Sequence, residues 1–247
     1  MLSDLRFDPQ MGYAGAAAAV FPAMSDLETR HAWDKSLSMD APQDTPWPAR
    51  GEAEEVSWLL GAPFQVQVVE GAGDTVAAVL AGSNDVAADG RALLDHYWRA
   101  TVERSAETVI AAMSGDPARQ DLADMARALA CVARVVRPGG TVALLCQTRP
   151  GLGEGFQRMI DQDDIERAFR SLSAAPPDDW STAYSWLQAA RRARIVLFSG
   201  IPAEAVEGLF ATPMDHPRQV ERLLDAGGDC LFLPDAHKLM VTMENGA

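Results

Sequence analysis

The sequence predicts an α/β protein in which a mainly parallel sheet is covered by helices on both faces. The main observation is a set of short runs made almost wholly of apolar residues, at positions 108–113, 142–146, 195–198 and 230–233. Runs without polar alternation are typical of strands buried on both faces. Segments with helical periodicity lie between them, and this alternation is the order of a layered α/β domain. We therefore expect a Rossmann-like layered domain, preceded by an N-terminal arm.

The arm is predicted from a change in composition near residue 50. Three prolines fall within the short polar stretch 41–51, which disfavours helix and strand and predicts a linker. The expected domains are therefore residues 1–52, the arm with its linker, and residues 53–247, the α/β domain. Within the arm, residues 25–35 predict a helix with Ser25 as its N-cap.

The elements after the linker follow from periodicity. Residues 64–69 and 75–80 read as two strands joined by a glycine-containing turn, which predicts a β-hairpin. Residues 88–102 predict a helix. A second helix is predicted over residues 122–136, ended by the sequence Arg137-Pro138-Gly139-Gly140.

Charge and composition exclude several classes of function. The net charge of −14 would repel phosphate backbones and anionic lipid surfaces, so we expect no nucleic-acid partner and no membrane. The longest apolar stretch, residues 14–24, is about half the roughly 20 residues of a spanning helix. Three widely spaced cysteines form no disulfide framework or zinc motif, and the residues before the apolar stretch do not resemble a secretory signal. We expect a cytoplasmic location.

A ligand site is expected where the parallel strands end, because the crevice of an open α/β sheet lies beyond the carboxyl ends of its strands. Ser114, Gly115 and Asp116 follow the first buried strand and would present backbone N–H groups to an anion. The alternative interpretation is an ordinary strand-to-helix turn. The other strand ends are residues 147–149, 199–200 and 234–237.

Asp124 and Arg127 lie three residues apart on the predicted second helix, so their side chains share one face. An arginine with a carboxylate beside it is suited to hold a small carboxylic acid, because the guanidinium offers a forked pair of donors. Spacing alone favours the other interpretation, a solvated surface ion pair.

Other motifs indicate little chemistry. The loop 151–155 has three glycines but not the spacing of a dinucleotide loop, and Glu154 would repel a pyrophosphate. Residues 135–142 resemble a late motif of methyltransferases that use S-adenosylmethionine, which keeps that activity as a minor alternative. No serine-nucleophile elbow is present, and no metal site is expected, since no metal-binding spacing joins His31, His96, His216 and His237.

The order of several segments resembles the C-terminal half of lactate racemase and its relatives. The resemblance rests on the hairpin, a helix ending in His96-Tyr97-Trp98, and the later segments 108–117, 137–141, 151–153 and 193–195. It extends into the arm, where residues 12–15, 21–22 and 27–29 resemble the family's glycine-rich segment.

The resemblance implies a racemase that moves a hydride on an α-hydroxy acid with a nickel pincer nucleotide. It places Ala18 at the position of the cofactor-bearing lysine, Asp34 at that of the nickel-binding histidine, and Asp8 at that of one acid/base histidine. Alanine cannot form the covalent link and aspartate is a poor ligand for sulfur-bound nickel, so no cofactor is expected. On the substrate side it matches Asp124 and Arg127 to a glutamine and a lysine, and Trp180 to a tryptophan near the site.

Two hypotheses of function follow. In the first, the chain is an enzyme of isomerase type with altered chemistry that acts on a small hydroxy- or keto-carboxylate. Arg127, Ser114, Gly115, Asp116 and Trp180 would bind this ligand, and Asp8, Asp34 or Asp124 would transfer protons. In the second, it is a non-catalytic subunit or binding module that completes a partner chain. Either way we expect a homo-oligomer or a second chain, with residues 1 to about 50 in the interface, because the family's first half is missing.

Overall fold

The computed structural model describes residues 2–8, 12–14, 55–56, 58–61, 64–83, 86–225 and 227–244. The chain divides into two compact units, Met1–Arg99 and Ala100–Ala247. The helix predicted over residues 25–35 and the linker at 41–51 lie outside the described residues.

The first unit contains a four-stranded sheet in the order β2 (Gly12–Ala14), β1 (Leu2–Asp8), β3 (Gln65–Glu70) and β4 (Val76–Gly82). The predicted hairpin is confirmed, since β3 (Gln65–Glu70) pairs antiparallel with β4 (Val76–Gly82). A strand that the sequence analysis did not predict, β1 (Leu2–Asp8), lies parallel to β3, and β2 (Gly12–Ala14) pairs antiparallel with β1. This sheet therefore joins residues from both sides of the predicted domain boundary at 52.

One helix of this unit, α1 (Val86–Trp98), is shorter than predicted. Its last residue, Trp98, is buried and donates its indole N–H to the carbonyl of Glu70 at 2.6 Å. The predicted extension to residue 102 is wrong, because Arg99–Val102 form strand β5, which pairs with β11 (Met240–Met243).

The second unit contains the predicted parallel sheet, which confirms the α/β fold class. Five strands follow the order β10-β6-β7-β8-β9, and every neighbouring pair is parallel. The four apolar runs are the strands β6 (Ala106–Ala112), β7 (Val136–Leu145), β8 (Arg194–Phe198) and β10 (Cys230–Leu233). The fifth strand, β9 (Ala211–Pro213), is too short to have left a periodic signal.

Six helices flank this sheet among the described residues of the second unit. They are α2 (Leu122–Ala133), α3 (Glu154–Ile160), α4 (Ile165–Ala174), α5 (Trp180–Arg192), α6 (Ala203–Gly208) and α7 (Val220–Asp225). No helix in the described ranges is both long and apolar enough to cross a membrane.

The predicted end of the second helix is wrong, because α2 stops at Ala133 and Val136 already belongs to β7. The glycines expected to end the helix instead permit an irregularity in that strand, where pairing with β6 shifts register beside Ala106. Gly139 has a φ of +78°, and a Cβ on Gly140 would lie 2.5 Å from the carbonyl oxygen of Glu107. Glycine within a strand is typical of such a bulge.

The topology fixes where a ligand site can form in this unit. Because the strands are parallel, the helices that connect them run back across the sheet. The helices α2 and α5, which pack against each other, therefore both begin at the carboxyl edge, where β6 and β10 end.

Candidate functional site

The ends of two neighbouring strands are tied together at this carboxyl edge. Ser114, just beyond β6, donates to Asp235 Oδ1 from its hydroxyl and, at 3.3 Å, from its backbone N–H. Asp235, just beyond β10, is buried and has a left-handed backbone with a φ of +50°. The Ala236 N–H also donates to the carbonyl of Ala112 at 3.0 Å. Two segments 121 residues apart in the chain thus form one rigid corner.

Gln120 extends this corner toward the end of β7. Its side-chain Nε2 donates to the backbone carbonyl of Ser114 at 2.7 Å. The backbone carbonyl of Gln120 accepts from the hydroxyl of buried Thr148 at 2.9 Å. Because a carbonyl oxygen must face Nε2, the orientation of the amide is fixed. Gln120 Oε1 is buried and has no hydrogen-bond partner.

All three residues of the predicted anion loop, Ser114, Gly115 and Asp116, are exposed. Asp116 accepts from the N–H of Ala118 at 3.0 Å and caps the short 3₁₀ turn Pro117–Arg119. Gly115 has a φ of +99°, which explains the glycine at this bend. Of the three predicted loop residues, only Ser114 joins the hydrogen bonds that link the ends of β6 and β10. The other two fit the alternative interpretation of a strand-to-helix turn.

Asp124 and Arg127 form the predicted ion pair, but it is not solvated. Arg127 Nη2 donates to Asp124 Oδ1, and the side chains of Arg127 and Asp124 are only 13% and 15% exposed. Asp124 Oδ2 accepts from the N–H of Asp121 at 3.0 Å, which is one half of a capping box at the start of α2. Both carboxylate oxygens of Asp124 are therefore in use, whereas Arg127 Nε is buried without a partner.

His237 belongs to the same group of side chains at the carboxyl edge as Ser114, Asp235, Gln120, Asp124 and Arg127. It was not among the predicted site residues. It follows β10, is 8% exposed, and its Nδ1 is buried without a hydrogen-bond partner. Burial lowers the pKa of His237; Asp124 and Asp235 act to raise it, and Lys238 and Arg127 act to lower it further. The signal that would have found it is its position, at the same kind of strand end as Ser114, rather than any metal-binding spacing.

Trp180 begins α5 at the same edge of the sheet and is buried. Its ring stacks on Tyr184 with 4.7 Å between centroids, and its indole Nε1 has no partner. Asp179, one residue earlier, accepts from the N–H of Gly155 at 2.8 Å.

Two of the three glycines of the loop 151–155, Gly153 and Gly155, are explained by this aspartate. A Cβ on Gly155 would lie 2.9 Å from Asp179 Oδ1, and a Cβ on Gly153 would overlap Asp179 Oδ2. The loop therefore needs glycine so that a side-chain carboxylate can approach its backbone.

Two of the three site residues predicted in the arm lie outside the residues that the structure describes. Asp8 ends β1 opposite Gly12 in the first unit, and nothing further is described of its side chain. Ala18 and Asp34 lie outside the described residues. Within the ranges that are described, no three His, Cys, Asp or Glu side chains are grouped so as to hold a metal ion.

Comparison with known proteins identifies the fold. No family model and no curated protein sequence matches the chain. Among solved structures, the lactate racemase apoprotein from Thermoanaerobacterium thermosaccharolyticum is similar to it, with a TM-score of 0.81 and 12% identity, over 98% of this chain and 62% of that one. A protein from Thermotoga maritima is similar with a TM-score of 0.70 and 11% identity, over 98% of this chain and 66% of that one.

The chain therefore has a lactate racemase-like fold along nearly its whole length, as the sequence resemblance implied. It spans about three fifths of the length of the lactate racemase structure.

Proposed function

We propose that the chain binds a small hydroxy- or keto-carboxylate at the carboxyl edge of the five-stranded sheet, with Arg127 as the residue that holds the carboxylate. The observation that carries this proposal is Arg127 Nε, a buried donor without a partner. A buried N–H that makes no hydrogen bond costs about 1–3 kcal/mol. A ligand carboxylate would remove this cost, since it matches the fork of a guanidinium.

Asp124 supports this role as a positioning residue. Its two oxygens accept from Arg127 Nη2 and from the N–H of Asp121, so it fixes the guanidinium relative to the helix. We therefore assign Asp124 to orienting Arg127 rather than to proton transfer. Asp8 and Asp34 stay candidates for proton transfer on the strength of the resemblance.

The remainder of the ligand would meet Gln120 and Ser114. Gln120 Oε1 is an acceptor without a partner, which suits a ligand hydroxyl that donates a hydrogen bond. The Ser114 hydroxyl is held by Asp235, which keeps this side of the site in place. Trp180, at the start of α5, would supply an apolar wall, in the role that the resemblance implies.

The residues present do not fit the nickel pincer nucleotide that the fold resemblance implies. Ala18 has no amine for the covalent link, and Asp34 offers a hard carboxylate oxygen where a soft, sulfur-bound nickel needs a nitrogen donor. The proposed function therefore takes no step through this cofactor. As an enzyme the chain would perform isomerase-type chemistry altered from that of lactate racemase. Elemental analysis that found stoichiometric nickel in the purified protein would contradict this part of the proposal.

The central test is calorimetric titration of the full chain with lactate and with pyruvate. Arg127→Gln should weaken binding by about tenfold to a hundredfold, the worth of a hydrogen bond to a charged group. The matched control is Arg167→Gln, because Arg167 also pairs with an aspartate three residues earlier but is 56% exposed. Equal affinity for the wild type and Arg127→Gln, or no binding of either acid, would refute the proposal.

The second candidate function, a subunit that completes a partner chain, has its own supporting observation. Trp58, Leu59, Leu60 and Phe64 are each more than half exposed in the first unit. Exposed apolar side chains so close in sequence are typical of a surface that a partner covers. Light scattering of the purified protein tests this candidate. A monomer at micromolar concentration would remove the homo-oligomer, and no stable partner in a pull-down from the native host would remove the second chain.

A further inference from the structure

His237 has the properties of a ligand-binding group that the fold itself does not use. Its ring is nine-tenths buried at the end of β10, yet Nδ1 makes no hydrogen bond. Buried polar atoms are nearly always paired, and those that are not require an explanation. The two other histidines in the described ranges, His96 and His216, are exposed. Among the described histidines, His237 is therefore the one with a buried ring nitrogen that lacks a hydrogen-bond partner.

The same cluster contains a second buried nitrogen in the same condition, Arg127 Nε. The two groups lie on different elements, α2 and the segment after β10, which the structure holds together. Ser114 donates to Asp235 in that segment, Gln120 just before α2 donates to Ser114, and α2 contacts β11, the strand that follows His237. The arginine's charge also acts on the imidazole. One carboxylate has two oxygens with several lone pairs, so it can accept from both nitrogens at once.

We infer that His237 is the second residue that holds the ligand's carboxylate, donating from Nδ1 beside Arg127, and that it takes up one proton from solvent as the ligand binds. This inference rests on the proposed function, since it concerns the same ligand. The balance is simple: a neutral imidazole becomes an imidazolium, and no bond of the ligand breaks.

Burial and the charges around His237 explain why the imidazole is neutral in the free protein and protonated in the complex. Burial lowers the pKa of the free imidazole. Of the charged groups that act on it, Asp124 from α2 and Asp235 from the segment after β10 favour protonation, whereas Lys238 and Arg127 oppose it. Two charged residues raise the pKa of His237 and two lower it. Burial is the largest single cause, so the net effect is a lowered pKa. A bound carboxylate adds a negative charge, which favours the imidazolium and raises the pKa in the complex.

The sign of the pH dependence follows from that difference. Above the pKa of the complex, His237 is neutral with or without ligand, and affinity is at its lower level. As the pH falls through the pKa of the complex toward the pKa of the free protein, binding takes up a proton and affinity rises. Below the free pKa it reaches its upper level. Lactate remains an anion at every pH down to about 5, because a carboxylic acid titrates near pH 4.

The experiment is calorimetric titration of lactate between pH 5 and pH 8.5, in pairs of buffers with different ionisation enthalpies. For the wild type we expect affinity to rise by about tenfold toward acid pH, which corresponds to a pKa one unit higher in the complex. The apparent binding enthalpy should depend on the buffer, because a proton is taken up. His237→Gln should bind lactate with one affinity at every pH, and the control His96→Gln should behave like the wild type.

A second measurement does not require a variant that folds. Nuclear magnetic resonance of the wild type follows the imidazole signals of only four histidines. Saturating lactate should raise the pKa of one buried histidine and leave the others unchanged.

The outcomes separate this inference from the proposed function. Lactate binding that depends on Arg127 but shows no pH dependence and no proton uptake would overturn the role of His237 and leave the proposed function in place. If the wild type binds no lactate at any pH, both the role of His237 and the proposed function are overturned.

Discussion

Two helices of the second unit each carry an aspartate–arginine ion pair near their start, one pair mostly buried and the other exposed. In α2 the pair Asp124–Arg127 is 15% and 13% exposed, whereas in α4 the pair Asp164–Arg167 is 51% and 56% exposed. Both pairs have a spacing of three residues. Asp164 is itself the N-cap of α4, whereas α2 is capped by Asp121 and Asp124 lies in its first turn. The aspartate–arginine spacing is the same in both helices, but only the pair in α2 lies in the candidate ligand site.

The difference comes from what covers each helix. In α2, nine of the twelve residues are buried, and the helix packs against both the sheet and α5. In α4, only Ala168 and Leu172 are buried. An ion pair that water cannot screen holds its partners more firmly, and an unmade hydrogen bond there costs more. The two helices therefore provide a buried and an exposed aspartate–arginine pair for comparison.

The largest expected effect on stability is at Arg127. Arg127→Ala should lower the free energy of unfolding by about 1.5–3 kcal/mol, because Asp124 loses a charged hydrogen bond while it remains mostly buried. Arg167→Ala should cost less than about 1 kcal/mol, as exposed pairs do. Urea denaturation of both variants measures the difference. Equal losses would mean that burial does not distinguish the two pairs.

A third aspartate at a helix start sharpens the comparison. Asp179 precedes α5, but its carboxylate accepts from the Gly155 N–H and does not cap its own helix. Gly153→Ala should destabilise the fold by about 1–3 kcal/mol, since a Cβ there overlaps Asp179 Oδ2. Gly151→Ala is the control, because a Cβ at that position meets nothing within 4 Å. Thermal unfolding that ranks Gly151→Ala as the more damaging change would contradict this account of the loop.

The two helix caps should respond alike. Asp121 accepts from the N–H of Asp124 at 2.9 Å, and Asp164 accepts from the N–H of Arg167 at 2.8 Å. Asp121→Ala and Asp164→Ala should each cost about 1 kcal/mol, because a cap bonds the backbone of the first turn whatever lies above the helix. A cost several times larger for Asp121 would show that its capping box also supports the buried pair.

The smallest effect expected is that of salt. Raising the NaCl concentration from 0.1 M to 1 M should reduce the coupling energy of Asp164–Arg167 by a few tenths of a kcal/mol and leave that of Asp124–Arg127 nearly unchanged, because buried pairs are screened much less. Double-mutant cycles at the two concentrations measure both couplings. A larger loss at the buried pair would reverse the comparison.

The sequence by itself determined the elements whose signal is local. The apolar runs became β6, β7, β8 and β10, and the alternating segments became the hairpin of β3 and β4. It also located the carboxyl edge, and so Ser114, because that edge follows from the order of strands and helices along the chain. Arg127 was proposed from its spacing to Asp124 and from the family resemblance, and its burial was not predicted. It failed at the helix ends near residues 98 and 133, where apolar residues suit a strand as well as a helix.

Only the tertiary structure decided which of the candidate side chains lie together at this edge of the sheet. Ser114 meets Asp235 because β10 pairs beside β6, and no local pattern encodes a contact between residues 121 positions apart. The same pairing places His237 in the field of Asp124 and Arg127. The helix that carries this ion pair packs against α5 and β11, which enter the fold far along the chain. Spacing fixes which residues share a helix face, but the free energy of their charges depends on what covers that face.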